Sequence, residues 1–274
     1  MDGFEFFPYY KMMIGFLLRK TFYDLWDNMF RIVLLNLGFL ISLAALVFLP
    51  ALIPAQAVSI MLFLALAVWN FMYLSAVALS VKTISDYGGF GFVDFFQNLK
   101  QGWKAGIIFA LIALFLFAVL RFIIPFYLEI NWPWEIRILL VAVIFWAFVL
   151  SVFSFQYFFA IRSRLDTKPG KIIKKCFIIF FDNPGFSIFT MINMIAMLAM
   201  STILAFLLPG IAGMFLFIDE ALRLRLMKYD WLEANPDPET PHKKRKIPWD
   251  AILIEEREKT GTRTLRNFIF PWKY

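Results

Sequence analysis

The sequence predicts an all-α, polytopic membrane bundle of six transmembrane helices with amphipathic interfacial helices and both termini cytoplasmic. Three observations predict it. Hydrophobic residues make up 61% of the 274 and charged residues only 17%, against about 45–50% and about 25% in an ordinary soluble domain. Apolar runs recur that approach the ~20 residues needed to cross a hydrocarbon core of about 30 Å. Of the 27 Lys and Arg, all but Arg121 and Arg137 fall on segments that this topology gathers on one side, and the positive-inside bias makes that side the cytoplasm.

Residues 1–31 read as an interfacial helix. Ile14, Leu18, Phe22, Leu25, Trp26 and Met29 share one face at helical spacing, and Lys20, Asp24, Asp27, Asn28 and Arg31 share the other. The membrane domain covers 32–231, with apolar runs at 32–51, 57–81, 105–128, 138–161 and 187–208. Its sixth span opens at Pro209-Gly210. Pro54, Trp132 and Pro209 are expected near the outer surface. Further interfacial helices are predicted near 91–104 and 170–183: Phe92, Phe95, Phe96, Leu99 and Trp103 line one face of the former, and Asn183-Pro184-Gly185 stops the latter. Residues 232–247 form a Pro-rich, basic linker. Residues 248–274 form a cytoplasmic tail with a short helix and an aromatic end, in which Phe268, Phe270 and Trp272 are too apolar to face water and are expected to dock.

A shift of 80 residues places Lys82 on Arg162, Asp86 on Asp166, Phe92 on Ile172 and Leu99 on Ile179, each within the order span, turn, interfacial helix, span. This reads either as an old duplication or as two hairpins built alike. Parallel repeats occur in transporters, with the substrate site at their interface.

The chemistry on offer is sparse. One cysteine, Cys176, and one histidine, His242, leave no intrachain disulfide, no Cys/His metal cluster and no Ser/His or Cys/His pair among the spans. Neither catalysis nor a cofactor is expected. Asn36, Asn70, Gln156 and Asn193 read as helix-to-helix hydrogen-bonding residues. The candidate intramembrane polar site is Arg121, Asp219, Glu220 and Arg223. Arg121 lies near the outer end of its run, in reach of Glu129. The sixth helix reads as complete in length and packed inside the bundle, with Asp219 paired to Arg223 at i,i+4 spacing and Glu220 facing a polar or water-reaching cytoplasmic cavity. The alternative is that the sixth helix leaves the bilayer early and both acids lie among the headgroups. Arg162, Arg164, Lys168, Lys171, Lys174 and Lys175 form a basic patch suited to anionic lipid, at about 1 kcal/mol per residue. No nucleic-acid reading motif accompanies them.

The stretches NMFRIVLLNLGFLISLAALVFLPALIPA, VDFFQNLKQGWKAGIIFALI, KKCFIIFFDNPGFSIFTMINM and LPGIAGMFLFIDEALRLRLMKY resemble the YesL-like family of bacterial integral membrane proteins. The resemblance implies a compact helical domain in the bacterial cytoplasmic membrane and an association with carbohydrate-uptake genes. It carries over no site residues. The expected function is therefore an accessory or partner-binding membrane component, with lipids and a membrane protein such as a sugar transporter as partners and no nucleic acid. The alternative is a small-solute transporter.

Overall fold

The computed structural model describes residues 6–236, 245 and 247–261, with side chains from residue 12 onward. His242 and the expected docking end, Phe268, Phe270 and Trp272, lie outside the described residues. Every regular element among the described residues is helical: α1 (Phe6–Asp27), α2 (Met29–Ala51), α3 (Gln56–Ser85), α4 (Phe92–Ala118), α5 (Ile124–Glu129), α6 (Trp134–Phe155), α7 (Phe158–Arg164), α8 (Pro169–Asp182), α9 (Pro184–Ile203), α10 (Gly210–Ala234), α11 (Trp249–Ile252) and α12 (Ile254–Thr260). Five helices are long and apolar enough to cross a membrane: Met29–Ala51, Gln56–Ser85, Phe92–Glu129, Trp134–Arg164 and Pro184–Ile203. The chain is a multi-pass membrane protein.

One of these spans, Phe92–Glu129, absorbs an element expected to be separate. The interfacial segment near 91–104 and the third span are one helix, because no breaker stands between Trp103 and Ala105 and the change from amphipathic to apolar needs no bend. Farther along, α4 passes into α5 through a π turn, Val119–Ile123, in which Ile124 N–H donates to the Val119 carbonyl. Pro125 accounts for it, since proline lacks an N–H and its ring crowds the carbonyl four residues back, that of Arg121. Close α3–α4 packing depends on small residues. A Cβ on Gly106 would fall 2.6 Å from Met72 Cα, and the Gly102 carbonyl accepts the Ser75 hydroxyl at 2.9 Å.

The central helix, α10, is not among the five spans. Its charged residues lower its hydropathy, yet Ala212, Leu216, Phe217, Ile218, Ala221 and Leu222 are all buried. It starts inside the bundle. Asn36 donates to the Leu207 and Pro209 carbonyls, both at 2.9 Å, and accepts the Ala212 N–H at 2.9 Å. Seven residues separate Asn36 from Met29 and fifteen separate it from Ala51, so the turn into α10 sits about 10 Å from one end of α2 and about 22 Å from the other. This corrects the expectation that Pro209 lies near the outer surface. The residues before it, Leu204 to Leu208, carry no charge to draw them to headgroups, and Asn36 offers the turn the polar partner it needs at depth.

α9 and α10 run antiparallel. The Gly210 N–H donates to Ser201 at one end, and Tyr229 and Lys228 reach Asp182 at the other, at 2.8 and 3.4 Å. Asn183 caps α9 by accepting the Phe186 N–H at 3.0 Å. Large apolar side chains of α2, α4, α6 and α9 stay exposed on the outside, including Phe48, Leu114, Trp146 and Ile192, as a lipid-facing surface requires.

Candidate functional site

The polar residues converge at the bundle end where α1, α3, α7 and α10 meet, called here the polar end. Asp219 and Glu220 are adjacent on α10, so their side chains diverge by about 100° around the helix. Each therefore serves a different neighbour.

Asp219, 2% exposed, faces α7. Arg164 grips its carboxylate with two nitrogens, Nε at 2.9 Å and Nη2, and the Ser163 hydroxyl donates to it at 3.2 Å. The same guanidinium continues to α3, donating to Asp86 at 3.0 Å and to the Ser85 hydroxyl at 2.9 Å. Such forked pairing is where arginine exceeds lysine. Glu220, 1% exposed, faces α1. It accepts the Thr21 hydroxyl and the Lys20 ammonium, the latter at 3.4 Å. Lys20 also pairs with Asp24, donates to the Ser85 carbonyl at 3.0 Å, and stands 4.2 Å from the centre of the Tyr87 ring.

Arg223 projects from α10 one turn later. It donates to the Ser85 carbonyl, to Asp86 at 3.0 Å and to Glu256 of α12 at 2.6 Å. The Tyr87 hydroxyl donates to Glu256 at 2.8 Å and meets Thr260 at 3.1 Å. Burial raises the Tyr87 phenol well above its ordinary value, so it stays a donor. Burial works against the charge of Asp86, but Arg164 and Lys82 beside it hold its carboxyl below the usual range. Arg19 donates to the Gly261 carbonyl, and Trp249 and Leu253 are buried against the bundle. The chain after α10 is thus fastened back to the polar end.

Several expectations are corrected here. Asp219 pairs with Arg164 and not with Arg223, which turns instead to Asp86 and Glu256. The two are the same residue type, so placement decides: α7 packs against α10 and brings Arg164 to the Asp219 carboxylate. Of the two alternatives for the acids, burial inside the bundle holds, with Asp219 2% and Glu220 1% exposed, and only the expected partner of Asp219 differs. α10 starts at the level of Asn36, so nine residues carry Asp219 to the end of the spans, about 14 Å away, where packed helices and not headgroups enclose it. Glu220 faces α1, and the pocket that it lines with Lys20, Arg223 and Glu256 is only about 10 Å³. In α1 the faces are reversed from a helix lying with its polar side in water. Lys20 and Asp24 are buried, while Leu18, Phe22 and Trp26 are exposed. Lys20 and Thr21 meet Glu220 of α10, Met13, Phe16 and Leu17 pack into the core, and the exposed Leu18, Phe22 and Trp26 are left for lipid.

The basic patch divides. Arg164 belongs to the buried cluster, Arg162 donates to the Gln101 carbonyl at 3.2 Å, and Lys175 stands 3.5 Å from Asp166. Lys168, Lys171 and Lys174 remain exposed. Arg121 lies away from the cluster, exposed in the π turn, with its guanidinium 5.9 Å from the centre of the Phe122 ring and no ion pair to Glu129. Lys20, Thr21, Asp24, Asp86, Tyr87 and Glu256 are the members that sequence reasoning missed. The signal available was the Lys20/Asp24 i,i+4 spacing, on what reads as the polar face of an interfacial helix.

The compared halves come together but differ in build. Asp86, at the end of α3, meets Arg164, at the end of α7. α4 then continues as one helix, whereas the corresponding part of the second half breaks at Asn183 into α8 and α9. No group of three or more His, Cys, Asp or Glu suited to a metal ion occurs among the described residues. Comparison with protein-family models, with curated proteins and with solved structures found no match.

Proposed function

We propose that this chain is an accessory, partner-binding component of a bacterial cytoplasmic membrane, without chemistry of its own, and that it serves a carbohydrate-uptake system. The observation that carries the reading is the fastening of α12 to the ionic cluster through Glu256, Arg223 and Tyr87. A rigid polar end that fixes where residues 262–274 depart is suited to presenting a docking segment. A moving gate would gain nothing from being tied at so many points. The placement of Lys and Arg supports a cytoplasmic polar end, with both termini there. The link to carbohydrate uptake rests on the family resemblance alone.

Affinity purification from native membranes tests the proposal. A stoichiometric membrane-protein partner is expected, and Glu256→Ala, which frees α12, should weaken its recovery. Recovery of the chain alone, together with solute flux in proteoliposomes, would refute the reading. A small-solute transporter is the second reading. Its supporting observation is that Arg164 crosses from one compared half to Asp86 of the other, at the kind of interface where transporters keep their sites.

A further inference from the structure

A second site lies away from the ionic cluster, where the first turns of α2 and α4 flank a groove of about 340 Å³. Its floor is Leu35, Gly38 and Tyr73. Gly38 adds no side chain, and the Tyr73 hydroxyl lies against it, where it donates to the Leu35 carbonyl at 2.9 Å. The floor is therefore apolar and its hydroxyl is satisfied, which suits hydrocarbon and not a polar solute. At the rim, Phe30 is 73% exposed and Phe92 72%. Both stand on helices that cross the membrane, so the groove opens towards lipid.

Arg31 stands at the mouth. It is exposed, donates to the Asn28 side chain at 2.7 Å and makes no ion pair with any described carboxylate. Its guanidinium lies flat on Gly89, where a Cβ would come within 2.7 Å of Nη2. A guanidinium has five N–H donors, and one such bond leaves most of them available. Arg31 follows two residues after the start of a span, at the level of lipid phosphates. We infer that this groove holds an acyl chain of an anionic phospholipid, with Arg31 donating to its phosphate. The apolar trough and the cation at its end, which has no ion-pair partner among the described residues, match the two parts of that one molecule. This inference is independent of the proposed partner binding.

Native mass spectrometry of the full-length chain tests it, after incubation in detergent with phosphatidylglycerol or with phosphatidylcholine of the same acyl chains. One phosphatidylglycerol should be retained in preference to phosphatidylcholine. Arg31→Gln, at an exposed position, should lower that retention about tenfold, the equivalent of about 1.4 kcal/mol, and Arg31→Lys should recover part of it. Replacing Lys168, Lys171 and Lys174 together by Gln should leave this lipid in place. A photo-crosslinking residue at Phe96 should capture lipid. Equal retention of both lipids, retention unchanged in Arg31→Gln, or loss in the triple lysine variant instead would overturn the inference. So would a crosslink to a second copy of the chain or to its own residues 262–274.

Discussion

Replacing Asp219 by Asn removes one charge and almost no volume from the centre of the polar end. The amide oxygen left in place of the carboxylate can still accept from Ser163, but Arg164 loses the anion that it grips with two nitrogens. Breaking a buried pair on one side typically costs about 3–5 kcal/mol. The lower figure applies here, because Asp86 at 3.0 Å and the Ser85 hydroxyl at 2.9 Å still engage Arg164. A loss of about 3 kcal/mol corresponds to roughly 6–12 °C in thermal midpoint at about 2–4 °C per kcal/mol. Unfolding in detergent, followed by circular dichroism or tryptophan fluorescence, measures it. A double-mutant cycle identifies the partner. Asp219→Asn with Arg164→Gln should show a coupling above about 1.5 kcal/mol, and Asp219→Asn with Arg223→Gln about 0.5 kcal/mol or less. A single-variant loss below about 1 kcal/mol, typical of exposed pairs, or a larger coupling to Arg223, would refute the assignment.

Asn36→Leu should destabilise the fold by about 3 kcal/mol or more, since it leaves the Leu207 and Pro209 carbonyls and the Ala212 N–H without their partner at about 1–3 kcal/mol each; an unchanged midpoint in detergent would contradict the depth assigned to the turn. Cys176 is fully buried on α8 and its thiol is pushed up to about 12 by that burial, so a maleimide should label it at neutral pH only after denaturation. The Asp182 link between α8 and α10 should be resistant to acid. Burial opposes its charge, but the Tyr229 hydroxyl, Lys228 and Arg225 hold its carboxyl below the usual range. Its contribution is present above the ordinary carboxylate value of about 3.9 and is lost only as pH falls through the lower folded value. Midpoints measured against pH should show an acid-side decline that is smaller in Asp182→Asn, and identical curves would count against the link.

The spans were legible because lipid imposes a rule on a single stretch of chain: about twenty apolar residues in a row have nowhere else to go. Stops marked by local chemistry were legible too, as at Asn183-Pro184, where the Asn side chain caps α9. The partners of the charges were not. Asp219 and Arg223 satisfy a local spacing, yet Arg164 outcompetes Arg223 across helices, and no sequence pattern announces a neighbour fifty-five residues away. Lys20 illustrates the same limit. On a one-helix view, water is the only home for its charge, whereas the fold supplies Glu220 from two hundred residues on. The depth of the Pro209 turn was hidden for a related reason. Apolarity says that a segment can enter the membrane, not how far it goes, and it took the three hydrogen bonds of Asn36 to fix the level.

That turn also bears on how the protein is made. Residues 183–218 contain no Asp, Glu, Lys or Arg, and their hairpin has both flanks at the polar end. It can enter the bilayer from one side as a loop, without dragging a charge through hydrocarbon at about 2.5–3.5 kcal/mol each. Its latch, Asn36, stands on α2, more than 140 residues ahead of the hairpin in the chain, so the amide is synthesised before the three backbone groups that it holds in the fold.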